Sequence, residues 1–211
     1  MSRRKFPAPP SLSRKAAFRE PKIKILIFSE GANTEPTYIK QFARLHGNGQ
    51  VKIKIHGGAG APKTILEEAR DAIRAVSTSK NSYDRYDQVW AIFDRDDHEE
   101  IARCRSEARD CGVRVAYSNP CFEVWILLHY IDLDSPDDRW ALYKRLKALD
   151  KSYDPNGSKT VCFDSLGKEY GEVKAKAERL RRRRIEEGDE FGRPYTDVDI
   201  LLDVIMENGR S

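Results

Sequence analysis

Two short, almost wholly apolar runs constrain this chain more than anything else in it. KIKILIFS over Lys22–Ser29 and DQVWAIF over Asp87–Phe93 each stop abruptly at acidic residues, Glu30 and Asp94. A strand that is apolar on successive residues, rather than alternate ones, has to be buried on both faces. That demands helices above and below it, and helical patterns lie between the runs. Glu35–Leu45 sets Tyr38, Ile39, Phe42 and Leu45 at helical spacing, with Thr34 as the expected N-cap and Pro36 in the first turn. Val51–Ile55 alternates as a strand, and the glycine loop His56–Gly60 follows it. Pro62–Val76 then turns Ile65, Leu66, Ala69, Ile73 and Val76 inward as a helix. Beyond the second run, Glu99–Cys111 predicts a helix closed by Gly112, and Val113–Tyr117 a short strand. Strands alternating with helices, without hairpin signals, predict a parallel sheet covered on both faces over about residues 22–118.

After Asn119-Pro120 the pattern turns helical: Phe122–Tyr130, Asp138–Leu149, Gly171–Glu187 and Asp197–Glu207. The expected organisation is a basic, disordered arm over residues 1–21, an α/β core over 22–130, and a helical C-terminal extension over 131–211. The aromatics Trp90, Phe93, Trp125, Tyr130 and Trp140 follow apolar periods and are read as core rather than as base-stacking platforms.

Charge is distributed unevenly. Of 211 residues, 38 are Lys or Arg and 34 Asp or Glu, a net +4. The first 24 residues hold eight basic side chains against Glu20 alone, so the remainder is net negative and is no general sponge for nucleic acid. Uninterrupted apolar runs reach five residues, as at Val124–Leu128, far short of the ~20 of a membrane span. The Arg-rich start does not lead into a signal-peptide core, so a cytoplasmic protein without membrane contact is expected. Cys104, Cys111, Cys121 and Cys162 show no CxxC spacing, which indicates neither a zinc site nor a disulfide framework.

In open parallel sheets the binding site lies beyond the C-terminal ends of the strands. Glu30 follows the first strand, and Asp94 and Asp96 follow the third. An Asp-x-Asp pair on extended chain directs both carboxylates to one side. With Glu30 they can converge on one hard cation, and oxygen-only donors favour Mg²⁺ or Mn²⁺ over zinc. Such an ion keeps open positions for water and phosphate oxygens, as phosphoryl-transfer chemistry requires.

Glu-Gly after a first strand and Asp-x-Asp after a later one resemble the Toprim domain of topoisomerases, primases and OLD-type nucleases. Three blocks, Ser29–Pro36 (SEGANTEP), Phe93–His98 (FDRDDH) and Ser118–Trp125 (SNPCFEVW), look more specifically like the RloB-like family, which includes AbiLii-like abortive-infection proteins; the resemblance covers about residues 22–130. It implies a Toprim-like, metal-dependent nuclease of bacterial antiphage defence, acting on DNA or RNA (tRNA among the candidates) and encoded beside a partner ATPase. By position, Glu30 is implied as general base or acid and metal ligand, with Asp94 and Asp96 holding the metal. Glu35 is a further candidate ligand, one residue farther from Glu30 than in OLD-type nucleases. Glu123 is either a ligand or an acid favoured at a helix start.

His98, Arg95 and Lys63 are candidate phosphate contacts; His98 reads equally as a surface residue at a helix start. The loop Gly57–Gly60 before Lys63 does not fit the spacing of a P-loop, and is either a phosphate cradle or a turn. The basic arm is either a phosphate-binding element or a solubilising tail. Arg179 and Arg181–Arg184 form a basic run diluted by Glu172, Glu178, Glu186 and Glu187, read as a nucleic-acid patch or a solvated helix face. The alternative function is a non-enzymatic regulatory or interaction subunit with a Toprim-shaped core.

Overall fold

A computed structural model describes residues 22–78, 85–95, 101–159, 161, 163, 166 and 169–210. The arm, Asp96, His98 and Cys162 lie outside the described residues. The elements are β1 (Ile23–Ser29), α1 (Thr34–His46), β2 (Val51–Gly57), α2 (Pro62–Thr78), β3 (Gln88–Asp94), α3 (Ile101–Asp110), β4 (Arg114–Asn119), α4 (Glu123–Leu128), α5 (Arg139–Leu149), α6 (Tyr170–Glu186), β5 (Tyr195–Thr196) and α7 (Val198–Gly209).

The sheet runs β2-β1-β3-β4-β5, with the first four strands parallel and β5 antiparallel to β4. Two-sided burial explains the apolar runs. Ile25, Ile27, Trp90 and Ile92 face one core, shared with α1, α4, α5, α6 and α7. Leu26, Phe28, Ala91 and Phe93 face the other, filled by Ile65, Leu66 and Ala69 of α2 and Cys104 and Ala108 of α3. At the edge, β2 half-buries Val51, Ile53 and Ile55 and exposes Lys52, Lys54 and His56, hence its alternation. Gly112 turns the chain at φ +74° between α3 and β4, a conformation L side chains rarely adopt.

Residues after 130 enter the same hydrophobic core. Leu142, Leu146, Val173, Leu201, Leu202 and Ile205 pack in one cluster with β1 and β3. The chain then adds β5, two residues long, which the apolar pattern does not signal. Side chains hold it there. Asp197, 2% exposed, accepts hydrogen bonds from the Tyr117 backbone N–H, from Arg105 at 3.3 Å and from the Tyr195 hydroxyl at 3.2 Å.

The basic run on α6 is neither a free patch nor a uniformly solvated face. Arg181 makes a two-pronged bond to Asp199 at 2.6 and 2.8 Å, and donates to the Thr196 carbonyl at 2.7 Å. Arg184 is buried against the Arg193 carbonyl and Glu187. Arg179 pairs with Asp132 at 3.2 Å and Arg183 with Asp134. Two arginines therefore tie α6 to the segment around β5, and two neutralise the loop before α5.

Three local expectations are corrected. Thr34 is the first residue of α1 rather than its cap: Asn33 takes the cap position without a side-chain bond, and the Thr34 hydroxyl instead donates to the Lys159 carbonyl at 2.8 Å. Leu45 and Trp140, read as inward, are 53% and 68% exposed, because periodicity marks a helix face but not whether anything packs on it.

Burial of α7 is testable. Leu202→Ala removes a fully buried side chain and is expected to lower stability by about 3 kcal/mol. Urea denaturation of the whole chain should show one transition at lower midpoint. An early, separate transition would show that α7 is not part of the common core.

Candidate functional site

The C-terminal edge of the parallel sheet opens into a cleft of about 320 Å³, whose lining includes Glu30, Glu35, Asp94, Glu123, Arg139, Tyr143 and Lys159. Each acid arrives from a different strand end or helix start. Glu30 follows β1, its N–H extending the ladder to the Ile92 carbonyl at 3.1 Å. Asp94 is the last residue of β3, and the next residue's N–H donates to the Ser118 carbonyl of β4 at 2.9 Å. Glu35 lies in the first turn of α1, and Glu123 opens α4 after β4.

The turn after β1 is shaped around Glu35. Its carboxylate accepts the Gly31 N–H at 3.2 Å and lies so close over Gly31 that a Cβ there would collide with it. The glycine loop after β2 braces this turn from the other side. Gly58 N–H donates to the Gly31 carbonyl at 3.2 Å and Ala59 N–H to the Ser29 carbonyl at 3.1 Å. These two N–H groups are thus committed to the β1 turn rather than offered to a phosphate. Lys63, on the first turn of α2, and Arg95 are both exposed and are not among the residues lining the cleft.

Packed together, the carboxylates disturb one another. Burial holds Asp94 well above the usual carboxylate range, and the charges of Glu35, Glu123 and Glu30 push it further, against a hydrogen bond from the Phe122 N–H. Burial, opposed by hydrogen bonds from the Glu35 and Gly31 N–H groups and reinforced by Glu123 and Glu30, pushes Glu35 up to about 7. Burial, with Glu123 and Asp94 beside it, raises the Cys121 thiol, so it is kept protonated. Glu123, 3% exposed, accepts from the Tyr153 hydroxyl at 2.7 Å. Asp94 Oδ1 is buried without a hydrogen-bond partner.

In kind, these residues fit a hard divalent cation. All donors are oxygen, a buried carboxylate oxygen is left over, and a cation relieves the mutual repulsion. They do not form a finished cage: among the described residues no three Asp, Glu, His or Cys side chains are grouped so as to hold an ion. Asp94 and Glu30 are the residues that would hold it, with Glu35 and Glu123 beside them.

Sequence reasoning missed the part of the lining that comes from after residue 130. Arg139 at the start of α5, Tyr143 one turn on and Lys159 line the cleft from this region, and buried Tyr153 holds Glu123. Lys159 Nζ donates to the Tyr143 hydroxyl at 3.3 Å and lies 4.8 Å from the centre of its ring. No local pattern marks these residues; the link is the bond between Thr34 and the Lys159 carbonyl, 125 positions apart.

The crowding has a pH signature. Glu35 titrates at 4.5 when exposed and near 7 when folded, so folding takes up a proton between those values. Its unfavourable contribution is absent below 4.5, grows as pH rises, and is complete above about 7. In chelator, urea denaturation is expected to show about 3 kcal/mol less stability above this window than below it, relative to Glu35→Gln. Parallel pH curves for the two proteins would remove the assigned cause.

Comparison with curated proteins and with solved structures finds no match. The family model described as RloB-like protein matches residues 25–205, from within β1 to within α7. Its span takes in the acids of the strand ends and the residues of α5 and Lys159. The chain belongs to the RloB-like protein family.

Proposed function

We propose that this chain is a nuclease that hydrolyses phosphodiester bonds of DNA or RNA with Mg²⁺ or Mn²⁺, on a Toprim-like core. The observation that carries the reading is the convergence of Glu30, Glu35, Asp94 and Glu123 on one cleft at the C-terminal edge of the sheet. When bound, a divalent cation would neutralise charge on the scissile phosphate and make a water nucleophilic at neutral pH. Asp94, fixed at the end of β3, and Glu30 would hold that ion. In this reading Glu30, half-buried at the cleft, would also take the proton of the attacking water. Glu35 stays within the same acid group, anchored by Gly31 N–H, and Glu123 by the Tyr153 hydroxyl. Arg139 and Lys159, in the lining of the same cleft, would supply positive charge to phosphate oxygens. The setting we propose, antiphage or abortive-infection defence beside a partner ATPase with tRNA among the candidate RNAs, draws on the family resemblance.

One observation favours a second reading, a non-enzymatic regulatory subunit of such a system. Glu35 and Glu123 already have protein donors, and no three acids among the described residues are grouped to hold an ion.

Two measurements separate the readings. Manganese should raise the melting temperature by roughly 5 °C at saturation, and Asp94→Asn should abolish that rise. The same variant should lower cleavage of a DNA or RNA substrate by about 10²-fold or more. Wild-type protein that neither gains stability with manganese nor cuts DNA or RNA, with its ATPase present, would overturn the nuclease reading in favour of the second.

A further inference from the structure

Resting on the phosphodiester reading of the cleft, we propose that the first turn of α5 is a nucleobase platform. Trp140 stacks an unpaired base of single-stranded nucleic acid, while Arg139 and Lys159 hold the adjoining phosphates at the cleft wall.

Trp140 is 68% exposed, whereas the other two tryptophans, Trp90 and Trp125, are 1% and 0% exposed. What ties this indole to the cleft is its neighbour: Tyr143, a lining residue, touches it while its open face stays in water. The ring is also held in place. It meets Tyr143 edge-on, with ring centres 5.8 Å apart and planes at 84°. Tyr143 is itself part of the cleft wall and carries Lys159 Nζ over its ring. An unbroken line of side chains therefore runs from the acid-lined cleft through Lys159 and Tyr143 to the open indole.

Charge selects the ligand. Helix α5 itself carries Arg139, Lys144, Arg145 and Lys147 and no carboxylate; the Asp138 carboxylate before it caps the helix on the Ala141 N–H, and Lys147 donates to the Lys151 carbonyl at 2.8 Å. Arg145 is paired with Asp137 at 3.2 Å. A ligand drawn to α5 is thus anionic along its length and flat and apolar at intervals, which describes a nucleotide strand. A duplex hides its base faces in the stack, so the platform suits a single strand, and every base has a face to offer.

The test uses the full chain in calcium buffer and titrates short oligo-deoxyadenylate, oligo-riboadenylate and the matching duplex. Because Trp140 is the exposed tryptophan, single strands should quench intrinsic fluorescence saturably, and the duplex much less. Trp140→Leu should abolish the quench and weaken single-strand binding, read by anisotropy of a labelled oligonucleotide, by about tenfold. Trp140→Phe should restore most of the affinity. Absence of quenching by either single strand, or unchanged binding in Trp140→Leu, overturns the platform. So does a Trp140→Leu variant whose sedimentation changes while its binding does not, because the ring would then be a protein contact. Binding and cutting are read separately. A chain that binds and quenches but never cleaves keeps the platform and loses the nuclease reading. One that cleaves with unchanged KM in Trp140→Leu does the reverse.

Discussion

Parallel pairing of β1 with β3 brings the C-terminal ends of both strands to one edge of the sheet, and the site depends on that register. Ile25 to Ser29 lie beside Gln88 to Ile92, so the chain leaves the two strands side by side at Glu30 and Asp94. β4 runs parallel on the far side of β3 and delivers Glu123 to the same edge through the start of α4. The carboxylates are therefore neighbours because the sheet is parallel. An antiparallel pairing would send alternate ends to opposite edges. Two solid cores, one on each face, hold this register against the repulsion it creates.

That repulsion gives the acids their chemistry. A surface carboxylate titrates near its ordinary value and is screened by water. Asp94 and Glu35, sunk among other acids, favour any partner that brings positive charge, whether a proton or a cation. Residues beyond 130 complete the lining with groups of opposite character, Arg139, Tyr143 and Lys159, in the same cleft as the carboxylates. The buried pairs Arg181–Asp199 and Arg105–Asp197 matter indirectly, since they lock α6, α7 and β5 onto the sheet.

Much of the α/β layout was legible because two-sided burial leaves an uninterrupted apolar run, and each such run ended where the strand did. Glu30 and Asp94 were legible for the same reason, as first polar residues after a buried segment. Glu123 and Glu35 were carried by family blocks rather than by pattern. β5 was not legible: two residues have no period, and Asp197 with its partners, not strand propensity, keeps them on β4. Arg181 and Arg184 looked like surface charge because nothing in a helical pattern shows that Asp199 and the Arg193 carbonyl will meet them. Trp140 failed the opposite way, in step with an apolar period yet 68% exposed.

Short-range chemistry was enough to settle the four parallel strands, the helices, and where each acid stands along its own element. These follow from side-chain periodicity and backbone preference over a few residues, and they survive in almost any packing. Which acids share a cleft, which arginines are buried and which tryptophan faces water were settled by contacts between residues far apart in the chain, 125 positions for Thr34 and Lys159. Such contacts exist only once the chain has closed its long loops, and no local preference records which partners that closure will bring together.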